Sequence, residues 1–156
     1  MVCVFVAVGS NLGDREHNLS QARKMLAGVR GIHFKKSSPV YETEPIGGPP
    51  QGKFLNAVWE LETDLPASDF LAALLEIEKK MGRERVMPNG ARVIDLDLLF
   101  YGNEIVERIG LTVPHPRLHE RGFVLEPLKD LAPDWVHPVL HETIRQLWEK
   151  LLEKNH

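Results

Sequence analysis

Short apolar runs and segments with helical spacing alternate along the N-terminal two thirds of the chain. Residues 2–8 are continuously apolar, which predicts a buried central strand. Asp14 can cap a helix, and apolar residues recur behind it with the spacing of an amphipathic helix. Residues 32–41 and 54–62 show apolar and polar alternation and predict two more strands.

A second helix is predicted from Ser68 or Asp69 to Gly82, and residues 92–100 form the next strand. Beyond it the pattern predicts a short strand, an irregular segment and two helices, at residues 104–111, 112–122, 123–131 and 143–154. The order β-α-β-β-α-β is typical of the ferredoxin-like arrangement. We therefore predict an α+β fold, a ferredoxin-like βαββαβ sandwich with an antiparallel sheet and a C-terminal helical extension, as a single domain over residues 1–156. Helices are expected on one face of the sheet, which leaves the other face for a site.

The strand at 92–100 carries two aspartates, Asp95 and Asp97, within an otherwise apolar run. Side chains alternate between the two faces of a strand, so both carboxylates point the same way, roughly 6–7 Å apart. Two carboxylates this close repel each other, and hard cations such as Mg²⁺, bound together with substrate phosphates, would offset the repulsion. Taken alone, the pair is also compatible with an exposed acidic strand face.

The composition limits the class of protein. The chain has 156 residues, a net charge of −3, and 43% hydrophobic and 26% charged residues, which is ordinary for a globular domain. The negative charge argues against a nucleic-acid partner, which usually needs a dominant basic face. One cysteine excludes an internal disulfide, no apolar run reaches membrane-spanning length, and no basic stretch precedes the first apolar segment as in a signal peptide. We therefore expect a cytoplasmic protein with no membrane partner, and because no feature of the sequence indicates an oligomer we expect a monomer.

Arginine and lysine are distributed unevenly along the chain. Residues 81–121 contain no lysine but hold six of the ten arginines, namely Arg83, Arg85, Arg92, Arg108, Arg117 and Arg121. Arginine binds phosphate in a planar, bidentate manner and stays charged. Although each of these arginines could be a solvated surface charge, their clustering around the aspartate pair favours a polyphosphate site.

Two further patterns carry weaker signals. The loop 9–13 lies between a strand and a helix but lacks the Gly-Lys-Ser/Thr ending of a P-loop, so arginine and metal would have to hold any nucleotide phosphates. His115 and His119 have the i,i+4 spacing of a zinc pair, but Pro114 and Pro116 prevent a regular helix and the sequence offers no third ligand nearby. A hydrogen bond from His115 to phosphate is the preferred interpretation.

Seven segments occur in the order and nearly the spacing of one enzyme family. They span almost the whole chain, at residues 8–13, 41–45, 54–57, 82–83, 90–99, 111–116 and 121–128. The most specific are the Arg-x-x-Asp-x-Asp block at 92–97 and the Pro-His-Pro and Arg-Gly-Phe blocks at 114–116 and 121–123. On these segments the chain resembles the 6-hydroxymethyl-7,8-dihydropterin pyrophosphokinases of folate biosynthesis.

The resemblance implies transfer of the β,γ-pyrophosphoryl group of ATP to the hydroxymethyl oxygen of 6-hydroxymethyl-7,8-dihydropterin, with AMP as the other product. It implies that Asp95 and Asp97 hold two Mg²⁺ ions that bridge the triphosphate, and that Arg92 and Arg85 are the catalytic cations. The positions that match the ATP site are Glu78, Arg83, Arg85, Arg92, Leu98, Thr112, His115 and Arg121. The positions that match the pterin site are Thr43, Pro45, Ile46, Phe54, Asn56, Asp95 and Phe123.

The chain departs from the family pattern at two places. The family commonly has an Arg-Trp pair where this chain has Pro88 and Asn89, so closure of this loop over the substrates is expected to differ. A basic residue that often precedes the Leu-Thr-Val-Pro-His block is Gly110 here, and Arg108 is the nearest basic replacement.

Two other functions are compatible with parts of the sequence. Ferredoxin-like RNA-binding modules share the βαββαβ order but need exposed aromatics on the central strands and a basic surface. A metal-dependent phosphohydrolase could use the same aspartate pair with water as the nucleophile, and His115 is the only candidate base for it. The combined motifs favour the pyrophosphokinase.

Overall fold

A five-stranded antiparallel sheet forms the centre of the fold, which this computed structural model describes for residues 1–46, 48–82 and 91–155. In chain order the elements are β1 (Val2–Ser10), α1 (Arg15–Ala27), β2 (Ile32–Ser37), β3 (Tyr41–Thr43), β4 (Phe54–Thr63), α2 (Ala67–Lys80), β5 (Asp95–Tyr101), β6 (Val106–Arg108), β7 (Leu111–Val113), a 3₁₀ turn (Leu118–Glu120), α3 (Gly122–Leu131) and α4 (Ile144–Lys154). The strand order is β2-β4-β1-β5, with β3 also paired to β4, and β6 and β7 form a separate hairpin. The predicted α+β fold with an antiparallel sheet and C-terminal helices is confirmed.

Helices cover both faces of the sheet, so the expectation of helices on one face only is wrong. Helices α1 and α2 pack on the face of β1 that carries Val4 and Val6. Helices α3 and α4 pack on the opposite face, which carries Phe5. At the other end of this second face, Ala7 and Gly9 line an open cavity. The second face is therefore core at one end and site at the other.

The second predicted strand is divided into β2 and β3. Ser38 still pairs with Val58, because its amide donates to the Val58 carbonyl and its hydroxyl accepts from the Val58 amide, both at 2.9 Å. Tyr41 then lies opposite Asn56, so three steps along one strand match two steps along the other. Pro39, which has no amide hydrogen to donate, lies within this bulge.

A bulge in β5 separates its polar end from its apolar end. Phe5 lies opposite Phe100 while the next residue, Val6, lies opposite Leu98, so Leu99 is an extra residue on β5. The two aspartates precede the bulge and the buried Phe100 follows it. The same face of β5 therefore offers carboxylates to the site and an aromatic ring to the core.

The hairpin of β6 and β7 replaces the single strand predicted at 104–111. Its turn contains Gly110, whose φ of +81° is a conformation that glycine adopts without a steric penalty. No helix within the described ranges has the length and apolar character needed to cross a bilayer.

Candidate active site

Two neighbouring cavities open beside the N-terminal half of β5. The first has a volume of about 380 Å³ and is lined by residues of β1, β3, β4, β5 and the start of α3. The second has a volume of about 290 Å³ and is lined by residues of α2, β5 and the segment from Gly110 to Pro116. Asp95 and Asp97 line both cavities. The two carboxylates therefore stand where the cavities meet.

The register of β5 on β1 places the aspartates. Asp95 lies opposite Gly9 and Asp97 lies opposite Ala7, and residues paired across antiparallel strands point to the same face. Because Gly9 and Ala7 are small, they leave open the space beside the carboxylates. This register agrees with the prediction that the two aspartates share one face.

Gly9 also leaves room for Asn56, which lies opposite it on β4. Asn56 is buried, and its Nδ2 donates to the hydroxyl of Thr43. A Cβ atom at position 9 would lie 2.9 Å from Asn56 Oδ1 and 3.6 Å from Cδ1 of Phe54. Only glycine at this position leaves the Asn56 amide where it is found.

Arg92 is held at the edge of the first cavity through its backbone and through Asp95. Its amide donates to Asn11 Oδ1 at 2.7 Å, and its carbonyl accepts from the Asn11 amide at 3.1 Å. Its Nη1 donates to Asp95 Oδ2 at 2.8 Å, within an ion pair of two mostly buried side chains. Among the described residues Arg92 Nε has no hydrogen-bond partner although it is buried. A buried donor of this kind suits an incoming anion.

His115 lines the second cavity as a neutral hydrogen-bonding group. Burial and the positive charge of Arg121 lower its pKa from 6.5 to about 4. Its Nδ1 accepts a hydrogen bond from the amide of Arg117 at 3.2 Å, so the neutral ring carries its hydrogen on Nε2. The ring can therefore donate from Nε2 to an anion.

We expect the fold to lose stability as the pH falls from 6.5 to about 4, because His115 resists protonation in the folded chain. In this window the unfolded chain binds the proton and the folded chain does not, so a lower pH favours unfolding. The free energy of unfolding should fall by about 1 kcal/mol. This is well below the value that the whole pKa shift would give, because the ring is only partly buried and solvent screens it.

Chemical denaturation at about pH 7 and about pH 4.5 measures this loss in the wild type and in His115→Asn. The wild type should lose more unfolding free energy than the variant on acidification. Equal losses would contradict the expectation. The same substitution at His33, which is exposed on β2, controls for the removal of a histidine as such.

Glu78 is a buried carboxylate in the wall of the second cavity. Glu78 is only 4% exposed, and its Oε2 accepts a hydrogen bond from the amide of Leu96 at 2.8 Å. Leu96 lies between the two aspartates on β5, which is an edge strand of the sheet. Glu78 therefore fixes the backbone that presents the aspartates.

The aspartate pair has the donor chemistry that Mg²⁺ uses. Mg²⁺ takes oxygen ligands, usually one or two carboxylates with water and substrate phosphates completing its coordination. Asp95 and Asp97 offer two carboxylates, and no group of three or more His, Cys, Asp or Glu residues suited to a metal occurs in the part of the chain that the structure describes. These residues fit a metal that binds together with a phosphate ligand.

Residues 5–133 match the family model described as 7,8-dihydro-6-hydroxymethylpterin-pyrophosphokinase, or HPPK. The chain belongs to the HPPK family.

Curated relatives of the HPPK family extend over nearly all of this chain. A 2-amino-4-hydroxy-6-hydroxymethyldihydropteridine pyrophosphokinase of Haemophilus influenzae is 36% identical over 99% of each chain, and that of Synechocystis is 42% identical over 94% of this chain and 74% of its own. The folic acid synthesis protein fol1 of Pneumocystis carinii is 41% identical over 96% of this chain and 20% of its own. This chain thus spans about a fifth of the length of fol1.

Solved structures of HPPK-DHPS proteins share the fold. A crystal structure of HPPK-DHPS in complex with substrates matches with a TM-score of 0.77 and 16% identity, over 99% of this chain and 44% of that chain. Wild-type Plasmodium falciparum HPPK-DHPS with pteroate matches with a TM-score of 0.76 over 98% and 43% of the two chains. At this low identity the match concerns the fold alone.

Most positions that the HPPK resemblance assigned to the pterin come together around the first cavity. Its lining includes Thr43, Ile46, Phe54, Asn56, Asp95 and Phe123. Pro45 lies between two lining residues, Glu44 and Ile46, but does not itself line the cavity.

The positions that the HPPK resemblance assigned to ATP divide between the cavities. The second cavity is lined by Glu78, Leu98, Thr112 and His115. Arg92 and Arg121 line the first cavity instead. The remaining two, Arg83 and Arg85, lie outside the described residues, as do Pro88 and Asn89.

Several cavity residues were not predicted as part of the site. Glu44 and Glu120 line the first cavity, and only the packing of the 3₁₀ turn and the loop after β3 turns them toward it. Arg117, a member of the predicted arginine cluster, lines this cavity as well. Leu71 and Leu75 line the second cavity. Their i,i+4 spacing on α2 was a usable sequence signal for an apolar surface. In the structure Leu75 is 53% exposed.

The basic residue missing before β7 has a conformational explanation. Gly110 lines the second cavity, and its positive φ disfavours a residue with a side chain. Arg108 is exposed and lines neither cavity, so its position gives no support for its replacing the missing cation.

Proposed function

We propose that this chain transfers the β,γ-pyrophosphoryl group of ATP to the hydroxymethyl oxygen of 6-hydroxymethyl-7,8-dihydropterin, giving AMP and the pterin diphosphate for folate biosynthesis. The observation that carries this proposal is that Asp95 and Asp97 line two adjacent cavities. Two substrates that exchange a pyrophosphoryl group must bind side by side with the group between them. Membership of the HPPK family and the names of the relatives support the same reaction.

The first cavity suits the pterin. Its volume of about 380 Å³ lies in the range of small-molecule sites. Phe54 and Phe123 line it and offer aromatic faces to a flat heterocycle. The amide of Asn56 offers a donor and an acceptor to the amide-like edge of the pterin, and Thr43 holds that amide in orientation.

We expect Gly9→Ala to weaken pterin binding about 10-fold, or about 1.4 kcal/mol, because the added Cβ forces the Asn56 amide to move. ATP binding should change less, since Gly9 lines the first cavity only. Calorimetric titration with each ligand measures both effects. Gly28→Ala, at the end of α1, is the matched control, and an unchanged pterin affinity in Gly9→Ala would contradict the role of Gly9.

The second cavity suits the nucleotide. His115 donates from Nε2 to a phosphate oxygen, Thr112 supplies a hydroxyl, and two leucines of α2 offer an apolar surface to the base. Arg92 and Arg121 lie on the other side of the aspartates, in the first cavity. In this position the two arginines would hold the pyrophosphoryl group on the pterin side of the aspartates, toward which the group is transferred.

The residues of the chain would act by position and charge, as is general for phosphoryl transfer. Arg92 orients the transferred group and neutralises its charge from a guanidinium already held by Asp95. Arg85 is proposed as the second cation from the family resemblance alone. Asp95 and Asp97 would hold two Mg²⁺ ions, which neutralise the triphosphate oxygens when bound.

Neither alternative predicted from the sequence is favoured. An RNA-binding sheet surface needs exposed aromatics, whereas Phe5 and Phe100 are 1% and 0% exposed beneath α3 and α4. A phosphohydrolase needs a base beside the aspartates. His115 has its Nδ1 lone pair engaged by the Arg117 amide and its hydrogen on Nε2, so neither nitrogen is set to accept a proton from water.

The test of the proposed function is the nucleotide product formed from Mg-ATP with and without 6-hydroxymethyl-7,8-dihydropterin. We expect AMP, in equal amounts with the pterin diphosphate, and only when the pterin is present. ADP, free phosphate, or AMP formed without the pterin would overturn the proposal.

The chain is also proposed to act as a cytoplasmic monomer. Residues of one chain line both cavities, so a second copy is not needed to form them. Light scattering over a range of concentrations measures the mass, and a dimer throughout would contradict the monomer. A relative from Pisum sativum, 47% identical over 95% of this chain, is named as a mitochondrial bifunctional protein, so imaging of the tagged protein is the test of location.

A further inference from the structure

The first cavity is bounded by two elements that do not pair with each other. One wall belongs to β3 and β4 and includes Thr43 and Asn56. The other wall belongs to the start of α3 and includes Phe123. Strand β3 has only three residues, and its one strand partner in the described sheet is β4. Helix α3 packs on β4 through the core that includes Val58 and Val124, so the position of β3 relative to α3 depends on whatever joins these two elements.

A hydrogen bond between side chains makes this connection. Tyr41, the first residue of β3, donates its hydroxyl to Asp130 Oδ2 near the end of α3. Asp130 Oδ1 also accepts from Lys129 Nζ at 2.8 Å. Lys129 Nζ in turn lies 5.5 Å from the ring centre of Trp148 on α4. Strand β3 is thus tied to both C-terminal helices.

The position of this bond relates it to the cavity. Tyr41 and Thr43 are two residues apart and share one face of β3, and Tyr41 lies opposite Asn56. Asp130 is seven residues from Phe123, or about 10 Å along the helix axis. The bond joins β3 and α3 through residues that do not line the cavity, whereas Thr43 and Phe123 on the same two elements do line it.

We propose that Tyr41 and Asp130 form a latch that sets the distance between β3 and α3 on either side of the pterin cavity. The proposal rests on the proposed function, because it assigns this cavity to the pterin. Neither residue lines the first or the second cavity, so both are positioning residues. Asn56 Nδ2 donates to the Thr43 hydroxyl, so a displacement of β3 also moves the amide that faces the pterin.

The protonation states of both partners keep the latch closed at neutral pH. The hydrogen bond to Asp130, together with burial, raises the pKa of Tyr41 to about 12, so its hydroxyl keeps its hydrogen. Burial acts to raise the pKa of Asp130, but the hydrogen bonds from Lys129 and Tyr41 outweigh burial, and the net pKa is lowered. A neutral donor thus meets a charged acceptor, which makes a stronger bond than a neutral pair.

Tyr41→Phe tests the latch, because it removes the hydroxyl and keeps the ring. We expect the KM for the pterin to rise about 5-fold, at the low end of coupling between linked elements, with kcat and the KM for ATP unchanged. Tyr101→Phe is the matched control. Tyr101 donates its hydroxyl to the carbonyl of Leu65 at 2.6 Å, and it packs in the core under α1 and α2. If the loss of a tyrosine hydrogen bond changes activity only by lowering the stability of the fold, this control shows the same change.

Substitutions of Asp130 identify the partner. Asp130→Ala should reproduce the effect of Tyr41→Phe, and the double variant should add nothing, as expected for two residues of one bond. Asp130→Asn keeps an oxygen acceptor and should recover most of the pterin affinity.

Three results would overturn the latch: an unchanged pterin KM in Tyr41→Phe, an equal rise in both KM values, or an equal effect in Tyr101→Phe. Failure of the wild type to form AMP when the pterin is present would overturn the proposed function instead. The two failures are therefore distinguishable in the same assay.

Discussion

Asp97→Ala is expected to abolish turnover while the chain stays folded. Asp97 stands where the two cavities meet, and a metal held there would stabilise developing charge by several kcal/mol. A loss of about 4 kcal/mol corresponds to a fall in kcat of roughly 10³-fold. Folding should persist because the side chain is only partly buried and its removal relieves the repulsion between two close carboxylates.

The measurement is kcat at saturating ATP and pterin across a Mg²⁺ titration, with thermal unfolding followed by circular dichroism. Asp134→Ala is the matched control, because that carboxylate is 80% exposed and its ion pair with Arg145 lies on the surface. If Asp97→Ala kept wild-type turnover and an unaltered Mg²⁺ dependence, the assignment of Asp97 to a metal site would be wrong.

Arg92→Ala is expected to lower kcat by about 10²–10³-fold, the cost of removing one preorganised donor from a transition state. The guanidinium is held by Asp95 at 2.8 Å, so in the proposed reaction it would meet the transferred group without reorganisation. The two hydrogen bonds that the Arg92 backbone makes with Asn11 do not depend on the Arg92 side chain, and the local fold should survive.

Steady-state kinetics of three variants test the role of Arg92. Arg92→Lys keeps the charge but loses the planar fork, so it should recover activity only in part. Arg108→Ala removes an exposed arginine that lines neither cavity and should leave kcat within about twofold of the wild type, since surface substitutions rarely matter. If Arg92→Ala and Arg108→Ala had similar kcat values, Arg92 would have no special part in the reaction.

The order of strands and helices could be predicted because periodicity is local: each element carries its apolar residues at the spacing of its own geometry. The break at Pro39 was not predicted, because proline also occurs in edge strands and at the ends of strands, so its presence alone does not locate a bulge. Whether an extra residue forms a bulge depends on the facing strand β4, more than a dozen residues further on. The packing of α3 and α4 over Phe5 was not predicted for a similar reason: an apolar helix face does not indicate which face of the sheet it packs on.

The candidate site divides in the same way. The shared face of Asp95 and Asp97 followed from the two-residue period of a strand, and most of the positions assigned from the family resemblance line one of the two cavities. The motifs assigned Arg92 and Arg121 to ATP, whereas both line the first cavity. Arg83 and Arg85 lie outside the described residues, and their assignment to ATP stays a prediction.

The sequence by itself determined the helices, the main strands of the sheet, the acidic pair and the family, because each of these is recorded in short segments of the chain. Only the tertiary structure decided that the pair separates two cavities and that Gly9 makes room for Asn56. Only it brought Tyr41 to Asp130, 89 positions away. These features depend on strand register and on the packing of remote elements, which no local pattern specifies.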